Sequence, residues 1–171
     1  MAVLGKATDI NIEIGFIKPT ISHFMIVFKP LKISNIETII TLMQDFYAID
    51  NYPIDINVSK KLFEEFIANE NLGKSYLIFN DNIVVGYAIL TFIFSFEYNG
   101  KIAIIDELYI KTAFRGQGIG SKAIAFIKTE CHKLKLKLIY LEVETHNLKA
   151  QKLYIAHDFE IHNRKMMKYK L

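Results

Sequence analysis

A chain of 171 residues, 51% hydrophobic and 23% charged, is long enough to bury one real core and short for two domains. Its net charge of +3 comes without a dense basic block, so no nucleic-acid surface is expected, and its single cysteine excludes an intramolecular disulfide and fits a reducing, cytoplasmic setting. The longest apolar stretch, residues 83–96, is interrupted by Gly86, Thr91 and Ser95 and falls short of the roughly 20 residues of a membrane span, so no membrane partner is expected.

Residues 1–23 have weak periodicity and no basic-plus-apolar secretory signal. They are expected to be an N-terminal extension, either poorly ordered or adding a strand or a homodimer contact through Ile12, Ile14, Phe16 and Ile17. Residues 24–171 are expected to form one domain. Its first strand begins near Phe24, and Ser34 with Glu37 reads as a capping box before Ile36, Ile39, Ile40, Met43 and Phe46, predicting a helix over 35–47. Pro53, with Asp50, Asn51 and Asp55, marks a loop, and a second helix follows with Leu62, Phe63, Phe66 and Ile67.

A strand at SYLIF, a turn at Asn80-Asp81-Asn82, a long strand from Ile83 to about Phe96, the turn EYNGK and a strand ending at Ile110 read as an antiparallel meander. Then comes KTAF, the glycine-rich RGQGIG, and a helix with Ile119, Ala123, Ile124, Ile127 and Cys131 on one face. LKLIYLEVE predicts a strand ending at Glu144, residues 147–156 a short helix, and FEIHN with KMMKYKL a closing hairpin. The order is β, α, α, three β, α, β, α, β, β, a mixed α/β fold.

Strand, glycine loop and helix make a phosphate-binding design. The first N–H groups of a helix have no partner within it, and the helix dipole adds positive potential there. Gly116, Gly118 and Gly120 remove side chains from the approach, and Arg115 adds a fixed charge and a planar donor fork. A diphosphate is the expected guest.

A Rossmann-type dinucleotide site competes on pattern, because Gly118-x-Gly120-x-x-Ala123 fits its fingerprint and Glu142 or Glu144 ends the next strand at a suitable distance. Against it, KTAFR separates the glycines from their strand, and too little chain follows for a run of βαβ units. A P-loop fails for want of Gly-Lys-Ser/Thr. The five histidines have no metal-ligand spacing, so no metal is expected, and Cys131, one turn beyond Ile127, reads as a buried side chain.

Arg115, Gly118 and Gly120 match Gln/Arg-x-x-Gly-x-Gly/Ala, and LYIKTAFRGQGIG resembles the strand, loop and pyrophosphate-binding helix start of the GNAT superfamily of N-acetyltransferases. Asn147, Ala150, Leu153, Tyr154 and Phe159 are similar to that family's N-x-x-A-x-x-L-Y-x-x-x-G-F, with Asp158 in place of the glycine. The resemblance implies the GNAT fold, an antiparallel meander with a splayed parallel strand pair flanked by helices, and acetyl-CoA as co-substrate.

It further implies that the backbone of Leu108, Tyr109 and Ile110 binds the pantetheine arm, and that Arg115, Gly116, Gln117, Gly118, Ile119, Gly120 and Ser121 cradle the diphosphate. Asn147 would contact the pantetheine or diphosphate region, and Tyr154 would protonate the departing thiolate. The reaction implied is direct transfer, in a ternary complex, to an amine of a small molecule or protein. Because an alkyl amine with a pKa of about 10 arrives as ammonium, a base is required. Glu107 is the first candidate and Glu142 the second.

Asp106 points away from Glu107 if the strand is regular, and a bulge would change that parity. In the resembled family the helix-loop-helix region walls the acceptor pocket, which makes Asp50, Tyr52 and Asp55 candidate contacts. Glu97, Glu107, Glu142 and Asp50 could form an acidic pocket for a cationic amine. The alternative from another class is an acyl-CoA-binding sensor or scaffold that keeps RGQGIG without turnover.

Overall fold

A computed structural model describes residues 25–171; the expectations for residues 1–23, and the strand start at Phe24, lie outside them. The elements run β1 (Ile26–Pro30), α1 (Ile36–Tyr47), α2 (Ile56–Ala68), β2 (Gly73–Asn80), β3 (Ile83–Ser95), β4 (Gly100–Ile110), α3 (Ile119–Lys133), β5 (Ile139–Leu141) and α4 (Leu148–Ile155). The strands form one sheet in chain order, antiparallel except for the parallel pair β4 and β5.

Period-two alternation gives the sheet two apolar faces. On one, Ile36, Ile39, Ile40, Leu42 and Met43 of α1 and Phe63 of α2 cover Leu77, Tyr87, Ile89 and Tyr109. On the other, Ile124, Ile127 and Cys131 of α3 pack on Tyr76, Ala88, Leu90, Ala103 and Ile105, while Ile119 and Ala123 pack on Ile78 and Val85. The buried stripe of α3 is the one its periodicity predicts. Leu153 and Tyr154 of α4 join this second face from its rim.

One irregularity in β4 organises the site. Ile89 of β3 pairs with Glu107, and the next residue, Leu90, pairs with Ile105, so Asp106 is an extra, unpaired residue. The bulge switches parity along the strand. Ala103 and Ile105 face α3, whereas Glu107 and Tyr109 face α1. Pairing of β4 with β5 ends at Ile105 opposite Leu141, one residue before the bulge.

Several expectations need correction. The capping box does not form: Asn35 is the N-cap without a side-chain bond, because a 3-10 turn, Ile33–Asn35, precedes α1 and the carbonyls of Lys32 and Ile33 take the N–H groups of Asn35 and Ile36. Asp55 caps α2 instead, its carboxylate accepting from the N–H of Asn57 at 2.9 Å and Val58 at 3.0 Å. Leu62 is 59% exposed and does not belong to the buried face.

β5 stops at Leu141 rather than Glu144, since β4 diverges from it at the bulge. The closing hairpin is absent from residues 159–171, which carry no strand. Its alternation has no face to bury, as Ile161, Met166, Met167 and Tyr169 are all exposed, and three-residue β5 offers a short edge to pair with.

Candidate active site

After β4 the chain makes a 3-10 turn, Thr112–Phe114, and enters the glycine loop. Gly116 and Gly118 both take left-handed backbone, with φ of 78° and 75°, and Gly118 is the N-cap of α3. A Cβ added to either would meet no atom within 4 Å among the described residues. Here glycine supplies both a turn that L side chains resist and open space before a helix N-terminus. Gly120 differs. Its backbone is helical, and an added Cβ would lie 3.1 Å from Leu153 Cδ2, so this glycine lets α4 approach α3 rather than clearing the anion's path.

The side chains in this stretch are largely engaged within the protein. Ile119 is buried against Ile78 and Val85, Gln117 Nε2 donates to Ala113 O at 3.3 Å, and the Ser121 hydroxyl lies 2.6 Å from His157 Nε2. What they leave for a ligand is backbone. Arg115 donates from Nε to Ile110 O at 2.9 Å and stands over the Tyr109 ring, 5.7 Å from its centroid, so its exposed guanidinium is fixed between the end of β4 and the loop.

Residues 107–110 pair with β3 on one side and, among the described residues, with no strand on the other. Alternation turns the backbone of Tyr109 toward Tyr87 of β3 and that of Leu108 and Ile110 toward the open edge, where Arg115 already takes the Ile110 carbonyl. The side chains serve the core: Tyr109 is buried under α1, and Leu108 packs on the α3 face. This edge runs directly into the glycine loop.

Glu107 is 8% exposed and lies between two tyrosines. Tyr47 of α1 donates to Oε1 at 2.6 Å, and Tyr87 of β3 donates to Oε2 at 2.6 Å. Burial pushes the Glu107 carboxyl above the ordinary carboxylate range, against the pull of the two phenol bonds, and the Asp106 charge adds to the rise. Burial first, then Glu107, drives both phenols well above their usual range, so both keep their protons.

Asp106 is an exposed residue whose carboxyl is partly shielded from water, and that shielding, with the charge of Glu142 beyond the end of β5, raises its pKa. Two contacts join the α1–α2 loop to the segment after β5. Tyr52 donates to Glu144 Oε1 at 2.8 Å, and His146 Nε2 is 3.2 Å from Asp50 Oδ1.

Glu97 is not part of this group. Arg164 grips it with two nitrogens at the far end of the β3–β4 hairpin, which removes it from the expected acidic pocket. Asn147 uses its side chain to cap α4, accepting from Ala150 N–H at 3.1 Å. Tyr154 is half-buried, its ring edge-on to Phe159 at 5.7 Å, and burial raises its phenol. Among the described residues, no three His, Cys, Asp or Glu side chains group to hold a metal ion, and no helix is long and apolar enough to cross a membrane.

Tyr47 and Tyr87 are the residues that sequence reasoning missed. A signal existed: a carboxylate inside an alternating apolar strand must find donors on the elements facing it, and tyrosines at the end of the first helix and in the neighbouring strand can supply them.

The model of the acetyltransferase (GNAT) family matches residues 37–159. Thialysine N-epsilon-acetyltransferases from Mus musculus and Bos taurus are 33% and 34% identical over 73 residues, 43% of this chain and 42% of each relative, so the match spans about two-fifths of their length. Among solved structures, an integron cassette protein from the mobile metagenome of Cole Harbour Salt Marsh superimposes with a TM-score of 0.76 at 24% identity, over 84% of this chain and 90% of the other. A protein described as a possible acetyltransferase from Clostridium difficile 630 gives 0.76 at 22% identity, over 85% and 97%. A protein from Clostridium acetobutylicum, described as a predicted acetyltransferase and solved with acetyl-CoA, gives 0.72 at 14% identity, over 85% and 96%.

Proposed function

Because the chain belongs to the acetyltransferase (GNAT) family, we propose that it moves an acetyl group from acetyl-CoA to an amine nitrogen, with both substrates held at once and the nitrogen attacking directly. The observation that carries this reading is the open cradle at Gly116 and Gly118, continuous with the unpaired strand edge at residues 106–110. The cradle suits a diphosphate, with the N–H groups opening α3 as donors and Arg115 as the fixed cation. A dry backbone group left unpaired costs about 1–3 kcal/mol, so the outward groups of Leu108 and the Ile110 N–H gain partners from the amides of a pantetheine arm, with Tyr109 between them fixed by its pairing to β3.

Bound acetyl-CoA supplies the acetyl group as an activated thioester. The proton work falls to this chain. An alkyl amine arrives as ammonium, and Glu107, held ionisable between two phenols, is the first candidate to receive its proton, with Glu142 the second. Tyr154 keeps its phenolic proton at neutral pH and holds it for the departing sulfur. Asn147 acts through its cap, which fixes the start of the helix carrying Tyr154.

For the acceptor, the named activity of the curated relatives favours a primary amine at the end of a flexible chain. The carboxylates of Asp106, Glu142 and Glu144 at the open end of β4 and β5 suit its positive charge. Calorimetric titration with acetyl-CoA, with NADH as the parallel control, tests the cradle; release of free thiol on adding amines tests transfer. Binding of NADH alone would return the glycine loop to a dinucleotide role. Binding of acetyl-CoA with no amine accepted would recast the chain as a sensor or scaffold.

A further inference from the structure

The proposed activity needs a path from the amine to Glu107, and the geometry does not offer a direct one. Glu107 is buried, and each of its oxygens already accepts a phenolic proton at 2.6 Å. The two phenols are not equivalent. Tyr87 has no exposed surface and lies inside the core with Phe46 and Tyr109 packed on it. Tyr47 is half-buried at the last position of α1, where the chain turns into the loop carrying Asp50 and Tyr52. Its ring meets that of Tyr52 edge-on at 6.3 Å, and Tyr52 in turn holds Glu144 beyond β5. Asp106, the exposed bulge residue, is close enough for its charge to act on Tyr47. A cation arriving at this open end therefore meets the oxygen of Tyr47 before any atom of Glu107.

We propose that Tyr47 is a catalytic residue of the acetyl transfer: its phenolic oxygen touches the acceptor nitrogen and passes the ammonium proton to Glu107, which never contacts the amine itself. A phenol that donates its proton to a carboxylate still has lone pairs to accept with. In the step, an N–H bond of the ammonium breaks as that proton bonds to Tyr47 Oη. The original Tyr47 O–H bond breaks as its proton bonds to Glu107 Oε1. The nitrogen keeps the electron pair, Tyr47 ends as it began, and Glu107 ends neutral. Because the two transfers are coupled, no tyrosinate forms, consistent with a phenol whose burial beside a carboxylate disfavours ionisation. Tyr87 donates to the second oxygen from the core side and takes no part in the transfer.

This inference rests on the proposed acetyltransferase activity, and the test separates the two. Thiol release from acetyl-CoA is measured for wild-type, Tyr47→Phe and Tyr87→Phe with thialysine, 1,3-diaminopropane and butylamine as acceptors, alongside acetyl-CoA calorimetry and thermal melting. The expected result is a loss of kcat of about 100-fold in Tyr47→Phe and no more than about fivefold in Tyr87→Phe, with acetyl-CoA affinity unchanged in both. In mixtures of light and heavy water, the wild-type rate should curve as two protons in flight require, and the residual Tyr47→Phe rate should fall on a straight line. Independently of turnover, 3-fluorotyrosine at position 47 should shift its fluorine resonance on titration with these amines, and at position 87 it should not. Equal losses in the two variants, or a position-47 resonance unmoved by an amine the wild type acetylates, would refute the relay and leave the activity standing. Wild-type protein that binds acetyl-CoA yet acetylates none of the three amines would overturn the relay together with the transfer reaction.

Discussion

Gly118 combines two requirements that substitution can separate. Its φ of 75° penalises any residue with a Cβ, by about 1–2 kcal/mol for alanine, which for a chain of this size lowers the melting temperature by roughly 2–8 °C. Asparagine tolerates this region, and the chain already uses it so, at φ of 57° for Asn51 and 55° for Asn99. Gly118→Asn should therefore melt closer to wild type than Gly118→Ala does. Both variants place atoms in the open space before α3, and the asparagine amide fills more of it. A hydrogen bond to a charged partner contributes about 1.5–3 kcal/mol, so blocking a single N–H contact to the diphosphate weakens acetyl-CoA binding roughly 10- to 150-fold. Calorimetry and thermal melting on the same preparations give both quantities. If Gly118→Asn bound acetyl-CoA like wild type, the diphosphate would not sit at this helix start; if asparagine and alanine destabilised equally, the backbone argument would be wrong.

Three further outcomes follow from the same geometry. Gly120→Val should press on Leu153 and lower the denaturant midpoint by an amount corresponding to about 1–3 kcal/mol, with α4 displaced; unchanged stability would show that the 3.1 Å approach relaxes freely. Tyr154→Phe should reduce thiol release on the order of 100-fold while calorimetry finds acetyl-CoA affinity intact, and full turnover would remove Tyr154 from the chemistry. Glu107→Gln should lose turnover but gain stability at neutral pH. The raised folded-state pKa means that the native protein binds more protons than the unfolded chain, so wild-type stability falls as pH rises from 4.5 through that pKa. The gain in Glu107→Gln should accordingly be small at pH 4.5 and below and grow above it, and a pH-independent difference in melting temperature would contradict a strained, buried carboxylate.

The sequence was most legible where one physical signal dominated. The period of α3 named its buried face residue by residue, and the glycine loop announced a helix N-terminus open to an anion. It was least legible where several weak signals met. Ser34 and Glu37 had the spacing of a capping box, but a preceding 3-10 turn met the same need through backbone. The tail alternated like a hairpin without a face to bury. The three glycines read alike in sequence, and only the packing of Leu153 shows that Gly120 answers to α4. Glu97, Glu107, Glu142 and Asp50 likewise read as one acidic set until the fold gave the first to Arg164, buried the second between phenols, left the third on the surface beside Asp106 and set the fourth against His146.

The bulge at Asp106 explains why one strand can serve both halves of the site. In an unbroken strand, alternation would put Ala103, Ile105 and Glu107 on the same side, placing the carboxylate against α3 and far from Tyr47. The extra residue sends Glu107 and Tyr109 toward α1 and, at the same point, parts β4 from β5. Under the proposed function, acid–base chemistry would fall to the face built from the first half of the chain, and backbone recognition to the edge continuous with the glycine loop. Deleting Asp106 would restore regular pairing and undo both arrangements together, so the unpaired residue shapes the proposed site through the backbone, whatever its own side chain does.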